Sequence, residues 1–232
     1  MKRFPRLSPK ERLHRFWEED RGLSVLLAFI LVISFIVAPI AEQQQGGGTM
    51  LRVCVSTMFA YGAWVLSNRR RVRIGIVILT AIPIVLGWLE YFRPGATSGA
   101  LAALSSCLFA LSLATFVMLR VFKDGPITIH RVVGSIVVYL LIGIAFGEAA
   151  RFNAIVDPGA YSSSNFDRIG RPELYYFSLV TLTTVGYGDI TPLHPMARSL
   201  AALEALTGQL FPAILIARLV SQELMSRDSR KD

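Results

Sequence analysis

Between two long apolar runs the chain reads SLVTLTTVGYGDITP, Ser178 to Pro192. The chemistry this stretch can do lies in its main chain. Through Thr184, Val185, Gly186, Tyr187 and Gly188 the interspersed glycines can enter left-handed backbone regions that other residues avoid. Successive carbonyls can then turn to one side, whereas a strand would alternate them. Such a ladder of oxygen dipoles can stand in for water around a dehydrated cation. One ribbon covers only one side of an ion, and four ribbons make a closed cage, so a chain with a single ribbon implies a tetramer. RPELYYFSLVTLTT ahead of the ribbon reads as a short half-helix, with Pro172 suited to a first turn and Glu173 at the positive end of the dipole. Its C-terminal end carries partial negative charge, which attracts cations.

The elements that must hold this ribbon follow from composition. The 232 residues are 53% hydrophobic and 17% charged, against about 25% charged in soluble domains. Apolar stretches run over 22 to 41, 51 to 67, 74 to 92, 98 to 119, 132 to 150 and 197 to 220, with a mixed stretch over 173 to 190. A helix crossing lipid needs about 20 apolar residues, so the six apolar stretches are expected crossings. The mixed one is too short and glycine-rich to span. Loops are marked by EQQQGGGT, SNRRRVR, YFRPGATSG and FKDGPITIH, and 151 to 171 is the longest polar connection.

Orientation follows from the basic residues. With a cytoplasmic N-terminus the inner segments hold 7, 4, 3 and 4 Lys and Arg, and Arg52, Arg93, Arg151, Arg168, Arg171 and Arg198 remain outside: 18 against 6 of 24. That fits the positive-inside rule, puts both termini in the cytoplasm and makes the mixed stretch re-entrant from the outer face. A cleaved signal peptide ending near VAPIA is the competing reading of the first stretch, disfavoured by its length and the preceding WEED. Trp17, Trp64, Trp88 and Tyr91 fall near the expected interfaces. The net charge of +8 reflects these flanks rather than nucleic acid binding. Cys54 and Cys107 sit in apolar runs, and His14, His130 and His194 have no metal-ligand spacing. No Ser/His/Asp set or phosphate loop points to an enzyme.

Residues 181 to 189, TLTTVGYGD, resemble the filter signature of potassium channels, and the resemblance extends over 128 to 220. It implies that the carbonyls of Thr184, Val185, Gly186 and Tyr187, with the Thr184 hydroxyl, line K+ sites as the permeant-ion path, with no organic cofactor. Thr183, Gly188 and Asp189 support the filter and its outer mouth, and the Tyr187 ring is expected to point away from the ions and wedge against the pore helix. Tyr176 and Phe177 stand where many relatives carry paired tryptophans, so an indole hydrogen bond to the filter is missing. Val180 stands where some carry a glutamate that clamps the aspartate. The final stretch resembles the family's inner helix, with Gly208 and Pro212 either bending points or simple packing residues, and Gln209 and Pro212 toward the cavity. Glu204 is the acid deep in that stretch. It is either a strut on Ser178 or Thr181 behind the pore helix, or a cavity carboxylate that concentrates cations.

The expected fold is an all-α membrane protein with six transmembrane helices and a re-entrant pore helix and filter (172–190) between helices 5 and 6, assembled as a homotetramer in the plasma (inner) membrane. The domains are a basic cytoplasmic segment over 1–21, a four-helix unit over 22–122, a pore domain over 128–220 and a short tail over 221–232. The four-helix unit occupies a voltage sensor's place, but SGALAALSSCLFALSLATFVML carries no arginine ladder, and Arg120 sits at its edge. Weak or absent voltage dependence follows. Its small residues suit tight helix packing. The short tail leaves no room for a soluble regulatory domain, and the basic N-terminal segment suits either a topogenic flank or contact with membrane lipid. An ion-coupled transporter subunit would need a second broken repeat. A non-conducting accessory protein is the other rival.

Overall fold

The structure, a computed structural model, describes residues 23–43, 47–66, 70–122, 129–164 and 169–228. The basic segment 1–21, with His14 and Trp17, and the last residues of the tail lie outside the described residues. Helix α1 covers Leu23–Ala41 and ends through Ala38–Gln43, with a π-helical stretch at Ile33–Val37. That stretch lies just ahead of Pro39, whose ring would strike the carbonyl one turn back, and the wider register relieves the clash. Helices α2 (Gly47–Leu66), α3 (Arg70–Phe92), α4 (Ala96–Val121) and α5 (Ile129–Val156) follow. Then come β1 (Tyr161–Ser163), the short α6 (Arg171–Leu182), β2 (Ile190–Pro192) and α7 (Pro195–Asp228).

Among the described residues, four helical stretches are long and apolar enough to cross a membrane: Leu23–Ala41, Ala96–Leu119, Arg131–Val156 and Pro195–Arg218. The apolar part of α3 in the described residues, Ile76–Phe92, is shorter. Several turns expected from glycine and arginine runs prove helical. Gly47 opens α2 and Arg70 opens α3. Helix α7 also continues through Asp228, past the expected end of the crossing at 220.

One apolar core joins α1, α2, α4 and α5 through Leu26, Ile30, Phe59, Leu113, Val138 and Leu141, with the Phe59 and Phe109 rings 4.5 Å apart. Helices α1, α2 and α4 thus share a core with α5 of their own chain, to which α3 adds Ile76. A second core gathers Ala150, Ala160, Tyr161, Leu174, Phe177, Ile190 and Ala197. It rests on an antiparallel pair whose first strand lies in the polar connection 151–171: Tyr161 faces Pro192, Ser162 faces Thr191 and Ser163 faces Ile190. This two-stranded clip ties the residues just after the glycine ribbon to the loop that precedes α6.

Candidate functional site

Helix α6 is fixed at both ends. At its start the Gly170 N–H donates to Glu173 Oε2 at 2.8 Å, which satisfies an orphan donor, and Pro172 removes another. At its end the Thr183 hydroxyl and N–H both donate to the Leu179 carbonyl, at 2.7 and 3.0 Å. The chain then folds back on the last turn: Thr184 N–H donates to the Thr181 carbonyl at 2.9 Å and Val185 N–H to the Val180 carbonyl at 3.0 Å.

From there every second residue has positive φ: Thr184 at 59°, Gly186 at 57° and Gly188 at 80°. The two glycines adopt this at little cost. Thr184 is β-branched, and such a residue at positive φ is strained by about 1–3 kcal/mol. Nothing stands within 4 Å of where a Cβ would sit on Gly186 or Gly188, so the requirement for glycine there is dihedral rather than spatial. The ribbon is bare in the single chain, with Val185 52% and Tyr187 72% exposed. A Tyr187 wedge therefore needs a surface beyond this chain's own pore helix.

Behind the ribbon, helices α5 and α7 close on α6. Helix α5 offers Gly143 and Gly147, spaced as small-x-x-x-small, and a Cβ would lie 3.2 Å from Leu182 Cδ2 at the first and 3.0 Å from the Tyr175 ring at the second. The GIAFG spacing is the sequence signal of this close approach. Tyr139 from α5 donates its hydroxyl to the Leu182 carbonyl at 3.1 Å, while its ring lies 6.0 Å from that of Phe211. On α7, Gly208 is buried directly against that carbonyl, where any Cβ would collide with it. Gln209 is exposed and Pro212 half-buried, within a helix that is continuous past both.

Glu204 is 1% exposed. The Ser178 hydroxyl lies 2.5 Å from Glu204 Oε1 and 2.7 Å from the Gly143 carbonyl, so serine, acid and α5 backbone meet at one point behind α6. Both contacts draw on the single Ser178 hydroxyl hydrogen. Thr181, the other partner expected for this acid, does not make the bond. Nearby, Tyr161 packs edge-on to Phe177 with centroids 5.5 Å apart, its hydroxyl has no partner among the described residues, and burial pushes its phenol well above the ordinary value.

Tyr176 and Phe177 behave differently. Phe177 is buried in the second core, while Tyr176 is exposed. Asp189 Oδ1 accepts from Ile190 N–H at 3.1 Å, and the Asp189 carbonyl accepts from Ser164 N–H at 3.1 Å.

A short helix whose C-terminal turn feeds a ribbon of alternating handedness stands between the long apolar helices α5 and α7. Residues 136–223 match the family model described as an ion channel. Human and mouse potassium voltage-gated channel subfamily A member 10 are each 34% identical over 92 residues, 39% of this chain and 17% of theirs. Two pore potassium channel c of Oryza sativa subsp. japonica is 37% identical over 86 residues, 37% of this chain and 17% of its own. The chain thus spans about a sixth of the length of these curated relatives, and the matched family segment leaves out α1 to α4. No solved structure matches the chain. An ion-channel domain together with four helices fit to cross a membrane makes this a multi-pass integral membrane protein.

Proposed function

We propose that the chain forms a homotetrameric, K+-selective channel that conducts passively through four copies of the Thr184–Tyr187 ribbon. The observation that carries this reading is the alternation of positive φ at Thr184, Gly186 and Gly188 at the C-terminal end of α6. It supports carbonyls aligned toward one edge, as ion coordination needs. Thr183, Gly188 and Asp189 brace the filter with Tyr176 and Phe177, and Glu204 acts as a strut through Ser178. Gly208, Gln209 and Pro212 lie on the helix that lines the cavity.

Tetramer formation is supported by what one chain leaves open. On α7 the apolar residues Leu203, Leu206, Leu210 and Ile214 are exposed along one face, beside the bare ribbon. The wider proposal has six crossings with α2 and α3 among them, both termini in the cytoplasm, a plasma-membrane location and membrane lipid around the bundle. Helix α4 carries no charge between Ala96 and Leu119, which supports a channel that is not gated by voltage. Purified protein in liposomes tests the proposal. It is expected to take up rubidium down a K+ gradient alone, to be blocked by barium and to respond weakly to voltage. A gradient-coupled second substrate would favour a transporter, and no flux would favour an accessory protein.

A further inference from the structure

A buried ionic network runs from the peripheral helices to the start of the pore helix. Glu148 of α5 is 0% exposed. Its Oε1 accepts from Arg171 Nη2 at 2.6 Å and from the Tyr175 hydroxyl at 2.5 Å, and its Oε2 accepts from Arg151 Nη1 at 3.1 Å. Arg151 turns its other terminal nitrogen to Glu90 of α3 in an ion pair. Glu90 in turn lies 3.6 Å from Arg52 of α2, which also donates to the Gly87 carbonyl and lies over the Tyr91 ring at 5.3 Å.

The charges are arranged against local preference. Arg171 is the first residue of α6, and a cation at a helix N-terminus is disfavoured by the macrodipole. Glu148 holds it there. Arg151 is the only described side chain that contacts acids on both sides, Glu90 on α3 and Glu148 on α5. Arg171 and Tyr175 together hold two successive turns of α6 against α5.

We infer that the peripheral four-helix unit regulates the filter mechanically: the strap Glu90–Arg151–Glu148–Arg171 fixes the outer half of the pore helix, and displacement of α3 loosens it. The inference rests on the filter reading above and gives α1 to α4 a task other than sensing voltage. Glu90, Arg151 and Glu148 are positioning residues in it, since none touches the ribbon.

The test uses the full chain in liposomes, with wild type, Glu90→Gln, Glu148→Gln and the double variant. Sodium-to-potassium flux ratio and decay of flux with time are the readouts, because a role in bulk stability alone would leave both unchanged in the protein that assembles. Glu90→Gln is expected to speed decay by roughly tenfold, and the double variant to match Glu148→Gln alone, as for residues sharing one network. Hydrogen exchange over 171–182 is expected to rise by roughly tenfold in Glu90→Gln while the α1–α4 core keeps its protection. Should Glu90→Gln fail to assemble, Glu90→Asp, which keeps the charge and shortens its reach, carries the same readouts. Wild-type decay, selectivity and exchange in the Glu90 variants, or additive effects in the double variant, overturn the strap alone. A wild-type chain that passes no K+ overturns the channel reading and the strap with it.

Discussion

Replacing Gly208 by Ala places a methyl group against the last turn of the pore helix. The new Cβ would lie 2.8 Å from the Leu182 carbonyl carbon and 3.2 Å from Leu182 Cα, and nearer still to the carbonyl oxygen. Carbon atoms prefer about 3.5–4.0 Å, so α6 and α7 must separate by roughly 1 Å. Both contacting surfaces are main chain, so no rotamer change relieves them. Alanine's better helix propensity returns at most about 1 kcal/mol, whereas overpacking costs about 1–3 kcal/mol and more against backbone. The clash wins. Its relief falls on Leu182, two residues before Thr184, and loosens the Tyr139 hydrogen bond. The expected result in liposomes is rubidium uptake reduced by roughly tenfold or more, weaker discrimination against sodium, and a melting temperature lowered by about 2–8 °C for a cost of about 1–2 kcal/mol. A pure hinge at Gly208 would instead slow opening and leave ion preference untouched. Wild-type selectivity and melting temperature in Gly208→Ala would refute the packing argument.

Three further outcomes follow from the same geometry. Gly186→Ala forces an L side chain to φ 57° with open space around it, so assembly by size exclusion should be intact while K+-selective flux is lost. Glu204→Gln keeps a hydrogen-bonding partner for Ser178 and should leave single-channel conductance nearly unchanged in bilayer recordings; a large fall would favour a cavity-facing charge. Tyr139→Phe removes the 3.1 Å hydrogen bond to the Leu182 carbonyl, worth about 1 kcal/mol, and should hasten the decline of flux under sustained gradient without altering assembly; unchanged decay would count against a support role for that bond.

The apolar runs and the half-helix were legible because their periods and lengths are set by the lipid and by local caps. Pro172 and Glu173 marked the start of α6, and the glycines marked where it stops. What stayed hidden was pairing across long separations. Strands β1 and β2 have three residues each, too few for an alternation to register, and their partners stand about thirty positions apart. Glu148 lay unmarked inside an apolar run, and nothing local says that Arg171, 23 positions on, neutralises it. Glu204 was recognised as needing a partner, but the Gly143 carbonyl that shares Ser178 belongs to a helix far back in the chain. Gly208 illustrates the same limit: its flexibility is visible in the sequence, and its contact with Leu182 is not.

A density map of the purified protein in thallium, which substitutes for K+ and scatters strongly, would decide whether the ribbon coordinates ions. Four chains about one axis, with ion density spaced along it beside the carbonyls of Thr184 to Tyr187, is the predicted result. Ribbons facing outward from a lone chain, or an axis without ions, would contradict it.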